Sequence, residues 1–150
     1  MVEKLKIDNA DIGFKNFEGR EGPYNKNGDR NFVVFLNEST ASELDKEGWN
    51  IKWPKPNDQI DPSEDERNPY LQISVSTDKY PAEVYLVNNN VPIRMSGQEV
   101  DMLDWSELEH VDLYIRPYEW TMNGKSGIKA YLEVGYFTIV ANPFRDKYEH

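Results

Sequence analysis

The sequence predicts an all-β domain, an antiparallel β-barrel interrupted by short helical insertions. Three observations lead to this fold class. Six to eight short segments are rich in branched and aromatic residues with a period of two, Gly-, Pro- and Asn-rich turns separate them, and only two short stretches carry helix-start signals. At 150 residues, the chain has the size of one domain and can bury a core without cysteines, of which it has none.

The N-terminal part predicts two strands around a long loop. Residues 4–17 predict a first strand that Asn and Asp residues interrupt. Residues 18–30 contain three glycines and a proline, a composition typical of a polar loop. Residues 31–37 read Asn-Phe-Val-Val-Phe-Leu-Asn, which predicts a strand.

A short helix is predicted over residues 40–46. Ser39 is expected to cap its start and Gly48 to end it. The alternation over residues 49–53 is expected to turn both tryptophans of that segment, Trp49 and Trp53, to the same side.

Residues 54–69 predict a flexible acidic and proline-rich loop within the single domain 1–150. The segment contains four prolines, five acidic residues and one isoleucine. Such a composition buries too little apolar surface to pack as a strand or a helix.

Three further strands and a second helix are predicted after this loop. Residues 70–76 alternate with their aliphatic side chains inward, and the strands at 83–87 and 91–95 are joined by an asparagine turn. Ser96 followed by Glu99 fits a capping box that opens a helix of one to three turns.

The clearest signal is a hairpin formed by residues 111–120 and 128–140. Its strands are joined at Asn123-Gly124, a strong hairpin turn sequence. The period of two predicts one face for the core, with Val111, Leu113, Ile115, Pro117, Ile128, Ala130, Leu132 and Val134. The opposite face is predicted to carry Tyr114, Arg116, Tyr118, Trp120, Lys129 and Tyr131, with Lys125 near the turn.

Aromatic rings beside cations on an exposed sheet suit single-stranded nucleic acid. Unpaired bases stack on the rings, and Lys or Arg neutralises the phosphates. The alternative is that this face has only a structural role, because another sheet or the 54–69 loop covers it. An unpaired Arg116, however, would be costly to bury. Further candidate contacts outside the hairpin are Lys15, Arg20, Tyr24 and Lys52.

The net charge of −10 is unevenly distributed along the chain. Residues 38–47, 58–66 and 99–112 hold 15 of the 27 acidic residues and one of the 17 basic residues. These segments are expected to keep the protein soluble, or to bind a protein partner, and the rest of the chain is mildly basic.

The sequence offers no support for catalysis, a metal site or a cofactor. It has no cysteine, and His110 and His150 are its only histidines. Gly124-Lys125-Ser126 resembles the end of a phosphate-binding loop, but Glu119 stands where the leading glycine is required. With no secretory signal and no uncharged run above 11 residues, we expect a cytoplasmic protein without a membrane segment.

With the hairpin in view, the chain resembles the small single-stranded DNA-binding proteins of bacteriophages. The resembling segments are residues 31–36, 48–52 and above all 111–136. The resemblance implies an oligonucleotide-binding (OB) barrel and sequence-tolerant coating of single strands in replication, recombination or repair. Such proteins often end in an acidic tail that recruits replication partners, whereas residues 142–150 are of mixed charge. We expect the internal acidic segments to take a similar role toward replication or recombination proteins.

Two other function classes fit parts of the sequence. An acidic protein–protein interaction module, such as an inhibitor, a DNA mimic or a virion accessory protein, would use the acidic surface. A carbohydrate-binding sandwich would use Tyr118 and Trp120 as a sugar platform. The sequence leaves open RNA against DNA and whether the chain forms a homo-oligomer.

Overall fold

A computed structural model describes residues 2–23, 25, 28–56, 58–77 and 80–140 of the chain. Within these residues the strands, in chain order, are β1 (Leu5–Ile7), β2 (Asp11–Asn16), β3 (Arg30–Phe35), β4 (Ile51–Lys52), β5 (Tyr70–Val75), β6 (Glu83–Asn88), β7 (Val91–Met95), β8 (Leu108–Met122) and β9 (Lys125–Ile139). The helix α1 spans Glu38–Glu47, and two 3-10 helices span Pro62–Glu64 and Gly97–Asp104. The predicted all-β class with short helical insertions is confirmed.

The strands form one mixed sheet rather than the antiparallel sheet we predicted. The main order is β1-β8-β9-β5-β3-β2, while β4 pairs with β5, and β6 pairs with β7 and β9. Both β5 and β6 run parallel to β9. Parallel strands cannot be joined by a tight turn, so the local turn signals behind the antiparallel prediction carried no information about either pairing. The pairings found among the described residues do not close into a ring, so they do not establish a barrel.

Aromatic packing fills the centre of the core. Phe17, Phe32 and Phe137 are fully buried, with ring centroids 5.1–6.1 Å apart. Aliphatic side chains of β3, β5, β8 and β9 surround them. Phe17 follows β2, whereas Phe137 lies near the end of β9, so this cluster joins the two ends of the described chain.

Helix α1 begins two residues earlier than predicted, at Glu38. The Asn37 side chain accepts a hydrogen bond from the Thr40 backbone N–H at 2.7 Å, so Asn37 and not Ser39 is the N-cap. Asparagine and serine cap about equally well, so the residue types alone did not decide between Asn37 and Ser39. Gly48 ends the helix as predicted, with a left-handed φ of 106°.

The segment after the helix follows the predicted alternation only in part. Trp49 and Ile51 are buried, but Trp53 is 40% exposed. Strand β4 ends at Lys52, so the period of two no longer governs Trp53. Its indole Nε1 instead donates to Asp45 Oδ2 at 2.9 Å on α1.

The predicted elements of the middle of the chain are present. Strand β5 buries its alternate aliphatic residues, and β6 and β7 are joined by two asparagines with positive φ. The Ser96 N–H donates to the Glu99 carboxylate at 3.2 Å, at the start of the second predicted helix. That helix is a 3-10 helix, in which Val100 and Leu103, three residues apart, both face the core.

The 54–69 segment contains ordered local contacts. Arg67 donates to Asp65 through its guanidinium and its backbone N–H, and these bonds lower the pKa of Asp65 to about 2. The flexibility of the segment stays a prediction. No helix among the described residues is long and apolar enough to cross a membrane.

Candidate nucleic-acid interface

Strands β8 and β9 form a two-stranded ribbon of 15 residues on each side. Its turn places Asn123 and Gly124 at φ 52° and 77°, the left-handed conformations that the predicted hairpin requires. Residues 118–126 are all exposed, so the ribbon projects beyond the core. We call residues 118–129, which begin and end at the directly paired Tyr118 and Lys129, the ribbon tip.

The predicted outer face is formed by residues that lie directly opposite each other. Arg116 pairs with Tyr131, Tyr118 with Lys129, and Trp120 with Gly127. Opposite residues of an antiparallel pair point to the same face. The alternation read from the two strands therefore brings together the rings and cations that we predicted.

This face is open to solvent. Tyr114 is 39% exposed, Tyr118 53% and Trp120 37%, while Arg116 is half-buried. The 54–69 segment therefore does not bury these rings, and the alternative of a covered second core layer is wrong.

A bulge in β9 changes the face that we predicted for Val134. Tyr114 pairs with Val134 and Ile115 with Leu132, so Glu133 is the extra residue. Val134 therefore lies on the outer face beside Tyr114, and not in the core row. The bulge also marks the point at which the edge of β9 opposite β8 changes partner, from β5 to β6.

Tyr131 is surrounded by its neighbours on the outer face. The Arg116 guanidinium carbon lies 5.2 Å from its ring centroid and the Lys129 ammonium 5.0 Å, both within cation–π range. The Tyr118 ring meets it edge-on, with centroids 6.0 Å apart. Tyr131 thus fixes the positions of two cations and of one exposed ring.

Trp120 packs across the ribbon onto Gly127. A Cβ at residue 127 would lie 2.9 Å from Trp120 Cζ2, closer than any side chain allows. The glycine therefore gives the indole room to lie against the backbone, with its other side exposed.

A second aromatic group lies further along the same face, where β1 and β6 flank the ribbon. Tyr136 is 41% exposed, and its ring stacks on Tyr85 with centroids 4.9 Å apart and planes 10° apart. Arg94 lies 5.7 Å from the Tyr85 ring. We call Tyr85, Tyr114 and Tyr136 the ribbon base.

Sequence reasoning missed most of the ribbon base. Tyr136 pairs with Asp112 on the outer face only because the bulge at Glu133 shifts the alternation by one residue. Tyr85 reaches it through the parallel pairing of β6 with β9, which no local pattern predicts.

Acidic side chains hold the cations of the ribbon base. The Lys4 ammonium lies 5.6 Å from the Tyr114 ring and donates to Glu133 Oε1 at 2.9 Å. This hydrogen bond raises the pKa of Lys4 above its ordinary value of 10.5. Arg94 likewise donates to Glu83 Oε1 at 3.3 Å.

A shallow groove of about 270 Å³ lies beside the ribbon. Its lining includes Arg30, Ser74, Lys129 and Tyr131. Arg30 is itself bound to Asp101 and to the carbonyl of Phe17. The groove therefore joins the β2–β3 loop to the predicted face.

The candidate contacts outside the hairpin are not all directed toward it. The Lys15 ammonium donates to the Leu103 carbonyl at 2.8 Å and to the Ser106 carbonyl at 3.0 Å. Arg20 donates to the Lys15 carbonyl at 3.3 Å. Lys15 therefore contacts the second 3-10 helix and the residues that follow it, whereas Arg20 contacts the backbone of β2. Tyr24 lies outside the described residues.

Lys52 lies beside a third group of aromatic rings, formed by Phe14, Phe35 and Tyr70. It is exposed and pairs with Tyr70, whose neighbours Phe35 and Phe14 contact it edge-on with centroids 5.7–6.1 Å apart. Phe14 is 68% exposed and has a φ of 44°, unusual for a residue with a side chain.

An exposed sheet face that alternates aromatic rings with cations is typical of one class, the proteins that bind unpaired nucleic acid by stacking and charge neutralisation. The chain belongs to one family of that class: the family model described as "Putative phage ssDNA-binding domain" matches residues 1–150. This match confirms the resemblance predicted from the hairpin sequence, and with it single-stranded DNA as the partner of the family.

Solved structures of similar fold come from the same kind of protein. The chain is similar to the single-stranded DNA-binding protein from bacteriophage Enc34 in complex with ssDNA, with a TM-score of 0.56 and 16% identity over 94% of this chain and 89% of that one. A C-terminally truncated form of the Enc34 protein has a TM-score of 0.56 and 14% identity, over 94% of this chain and 88% of that one. At these identities the likeness establishes the fold. No curated protein matches the sequence significantly.

Proposed function

We propose that this protein binds single-stranded DNA through the outer face of the ribbon, without catalysis. The protein coats unpaired strands largely regardless of sequence during replication, recombination or repair in the cytoplasm of a phage-infected host. The observation that carries the proposal is the exposure of Tyr118 and Trp120 beside Arg116 and Lys129.

Each side chain of this face has a separate role. Tyr118 and Trp120 stack on bases, which contributes about 1–3 kcal/mol per base. Arg116, Lys125 and Lys129 bind phosphates. Tyr131 acts as a positioning residue, because Arg116 and Lys129 both lie over its ring.

The path of the bound DNA continues from the tip toward Lys52 and the groove beside Arg30. The pairing of Lys52 with Tyr70 supports this direction, since it places a cation next to more aromatic rings. Lys15 and Arg20 contribute less, because Lys15 is bound to the Leu103 carbonyl and Arg20 to the Lys15 carbonyl.

The acidic segments restrict where the strand can lie. Exposed carboxylates of α1 and of residues 58–66 repel phosphates away from the ribbon. The same segments are the surface offered to replication or recombination proteins, or to a second copy of the chain.

The sheet is a partly open barrel of the OB type. Strands β1 and β2 are separated by only three residues, and they pair with β8 and β3, which stand at opposite ends of the remaining sheet. The Ala10 N–H also donates to the Val111 carbonyl at 2.7 Å, which continues the contact with β8. OB-folds bind oligonucleotides on one sheet face between two loops, and here β2–β3 and β8–β9 supply such loops.

Tryptophan fluorescence during titration with oligo(dT) tests the proposal. Stacking on Trp120 is expected to quench the emission, and the Trp120→Phe variant should lose that part of the quench while it still binds. Trp105→Phe is the matched control, since Trp105 is exposed at the end of the second 3-10 helix. A protein that ignores oligo(dT) even at low salt would contradict the proposal and favour the acidic interaction module.

A further inference from the structure

We infer that the ribbon base is a second base-stacking subsite, so that one DNA strand runs along the ribbon from the tip to Tyr136. The inference rests on the proposed function and extends it to residues that the hairpin pattern did not identify. Its ligand is a further stretch of the strand already bound at the tip.

The Tyr85–Tyr136 pair provides a rigid aromatic platform. The two rings are stacked almost parallel, and the pairing of β6 with β9 holds both backbones in place. Tyr136 is 41% exposed, so the pair presents aromatic surface to solvent. A platform that is already ordered loses little side-chain entropy when a base stacks on it.

A recess beside this platform can receive a base. It has a volume of about 430 Å³. Its lining includes Tyr114, Val134 and Tyr136, together with the charged side chains of Lys6, Asp8 and Asp112. Tyr114 pairs directly with Val134, and Tyr136, two residues further along β9, pairs with Asp112. The recess therefore has an apolar part between two aromatic side chains, and one lysine and two aspartates complete its lining.

The ribbon base is continuous with the tip. Arg116 lines both the predicted face and a groove of about 620 Å³ that Arg94 also lines. Trp120 and Tyr114 are six residues apart on β8, which is about 20 Å at the rise of an extended protein chain. A single strand can therefore pass Arg116 and reach Tyr114 without leaving the sheet.

Nucleic acid suits this surface better than a second copy of the chain. Each of two tyrosines has a cation within 6 Å of its ring, Lys4 at Tyr114 and Arg94 at Tyr85. Both cations remain solvent-exposed, as contacts to phosphates require. Protein interfaces, in contrast, are generally depleted of lysine, whereas Lys4 and Lys6 are both exposed here.

The test measures affinity for oligo(dT) of increasing length, from about 4 to about 16 nucleotides, the usual range for one OB-fold. We compare the natural protein with the double variant Tyr85→Leu/Tyr136→Leu, which keeps apolar side chains but removes the rings. The variant is expected to bind the shortest oligonucleotide normally and the longest at least fivefold more weakly.

The matched control is Tyr85→Phe/Tyr136→Phe, which keeps the rings and loses only the hydroxyl groups. This control should bind all lengths like the natural protein. Equal loss in the Phe and Leu variants would overturn the inference, because the rings would then not be the binding feature.

Two other outcomes would also overturn the inference. One is a folded Leu variant with natural affinity at every length while tip variants bind weakly, which would leave the proposed function intact. The other is a Leu variant that changes the oligomeric state by light scattering with no change in DNA affinity. If the tip variants and the base variants all bind oligo(dT) as tightly as the natural protein, the proposed function itself would be contradicted.

Discussion

The tip and the base of the ribbon use the same residue types in different surroundings. At the tip, Tyr118 and Trp120 lie on the part of β8 that pairs only with β9, and Lys125 and Lys129 lie on β9 near the exposed turn. At the base, Tyr114 and Tyr136 are flanked by β1 and β6, and the cations are paired with Glu133 and Glu83.

This difference separates two contributions to binding. Cations without acidic partners release counterions when they bind phosphates, so the tip should govern the dependence on salt. Cations already paired with carboxylates exchange one partner for another, so the base should contribute mainly by stacking. The four predictions below test this division, from the largest expected effect to the smallest.

The largest effect is expected from removing both rings of the tip. Tyr118→Ala/Trp120→Ala should weaken oligo(dT) binding at least tenfold, since each stacked base is worth about 1–3 kcal/mol. Fluorescence anisotropy measures the affinity, and circular dichroism checks the fold. Trp105→Ala, which removes an exposed indole elsewhere, should bind normally. Natural affinity in the folded double variant would remove the tip from the site.

The salt dependence should separate tip from base. Lys125→Gln/Lys129→Gln is expected to reduce the slope of log affinity against log salt by about 1.4, or about 0.7 for each lost phosphate contact. Lys4→Gln/Arg94→Gln should change that slope by less than half as much. Titrations at several salt concentrations measure both, and equal changes in slope would contradict the division.

A single methyl group should disturb the tip. Gly127→Ala places a Cβ against the Trp120 ring and is expected to displace the indole, with a loss of about fivefold in affinity and a weaker quench. Gly22→Ala is the matched control, because no atom lies within 4 Å of its added Cβ. An unchanged quench in Gly127→Ala would show that the position of the indole does not matter.

The smallest effect concerns stability. Gly124→Ala is expected to lower the free energy of unfolding by about 1 kcal/mol, because residue 124 has a φ of 77° that disfavours a side chain. Urea denaturation measures this change. Asn123→Gly, at the neighbouring left-handed position, should be tolerated without loss. A stable Gly124→Ala variant would mean that the turn can change its type.

Much of the fold was readable from local patterns. The hairpin turn, the alternation of β5 and the inward and outward rows of β8 each depend on a few neighbouring residues. The errors arose where two signals were nearly equal or where a pattern ended. Asn37 and Ser39 are both good caps, and the alternation through Trp49 stops at the end of the two-residue strand β4.

The candidate site was likewise predicted in part. The tip lies on two strands joined by one turn, so its face follows from the period of two. The base depends on the bulge at Glu133 and on β6, whose Tyr85 is 51 residues before Tyr136 in the sequence. Lys15 shows the opposite case, since a cation suited to a phosphate is hydrogen-bonded to the carbonyls of Leu103 and Ser106.

The sequence by itself determined the β class, the projecting hairpin and the chemistry of its outer face, because side chains alternate along a strand whatever the strand packs against. Only the tertiary structure decided that this face is exposed, that β9 pairs in parallel with β5 and β6, and that Tyr85 stacks on Tyr136. Those features depend on contacts between distant segments, whose free energy is set by the packing of the whole sheet and not by any local pattern.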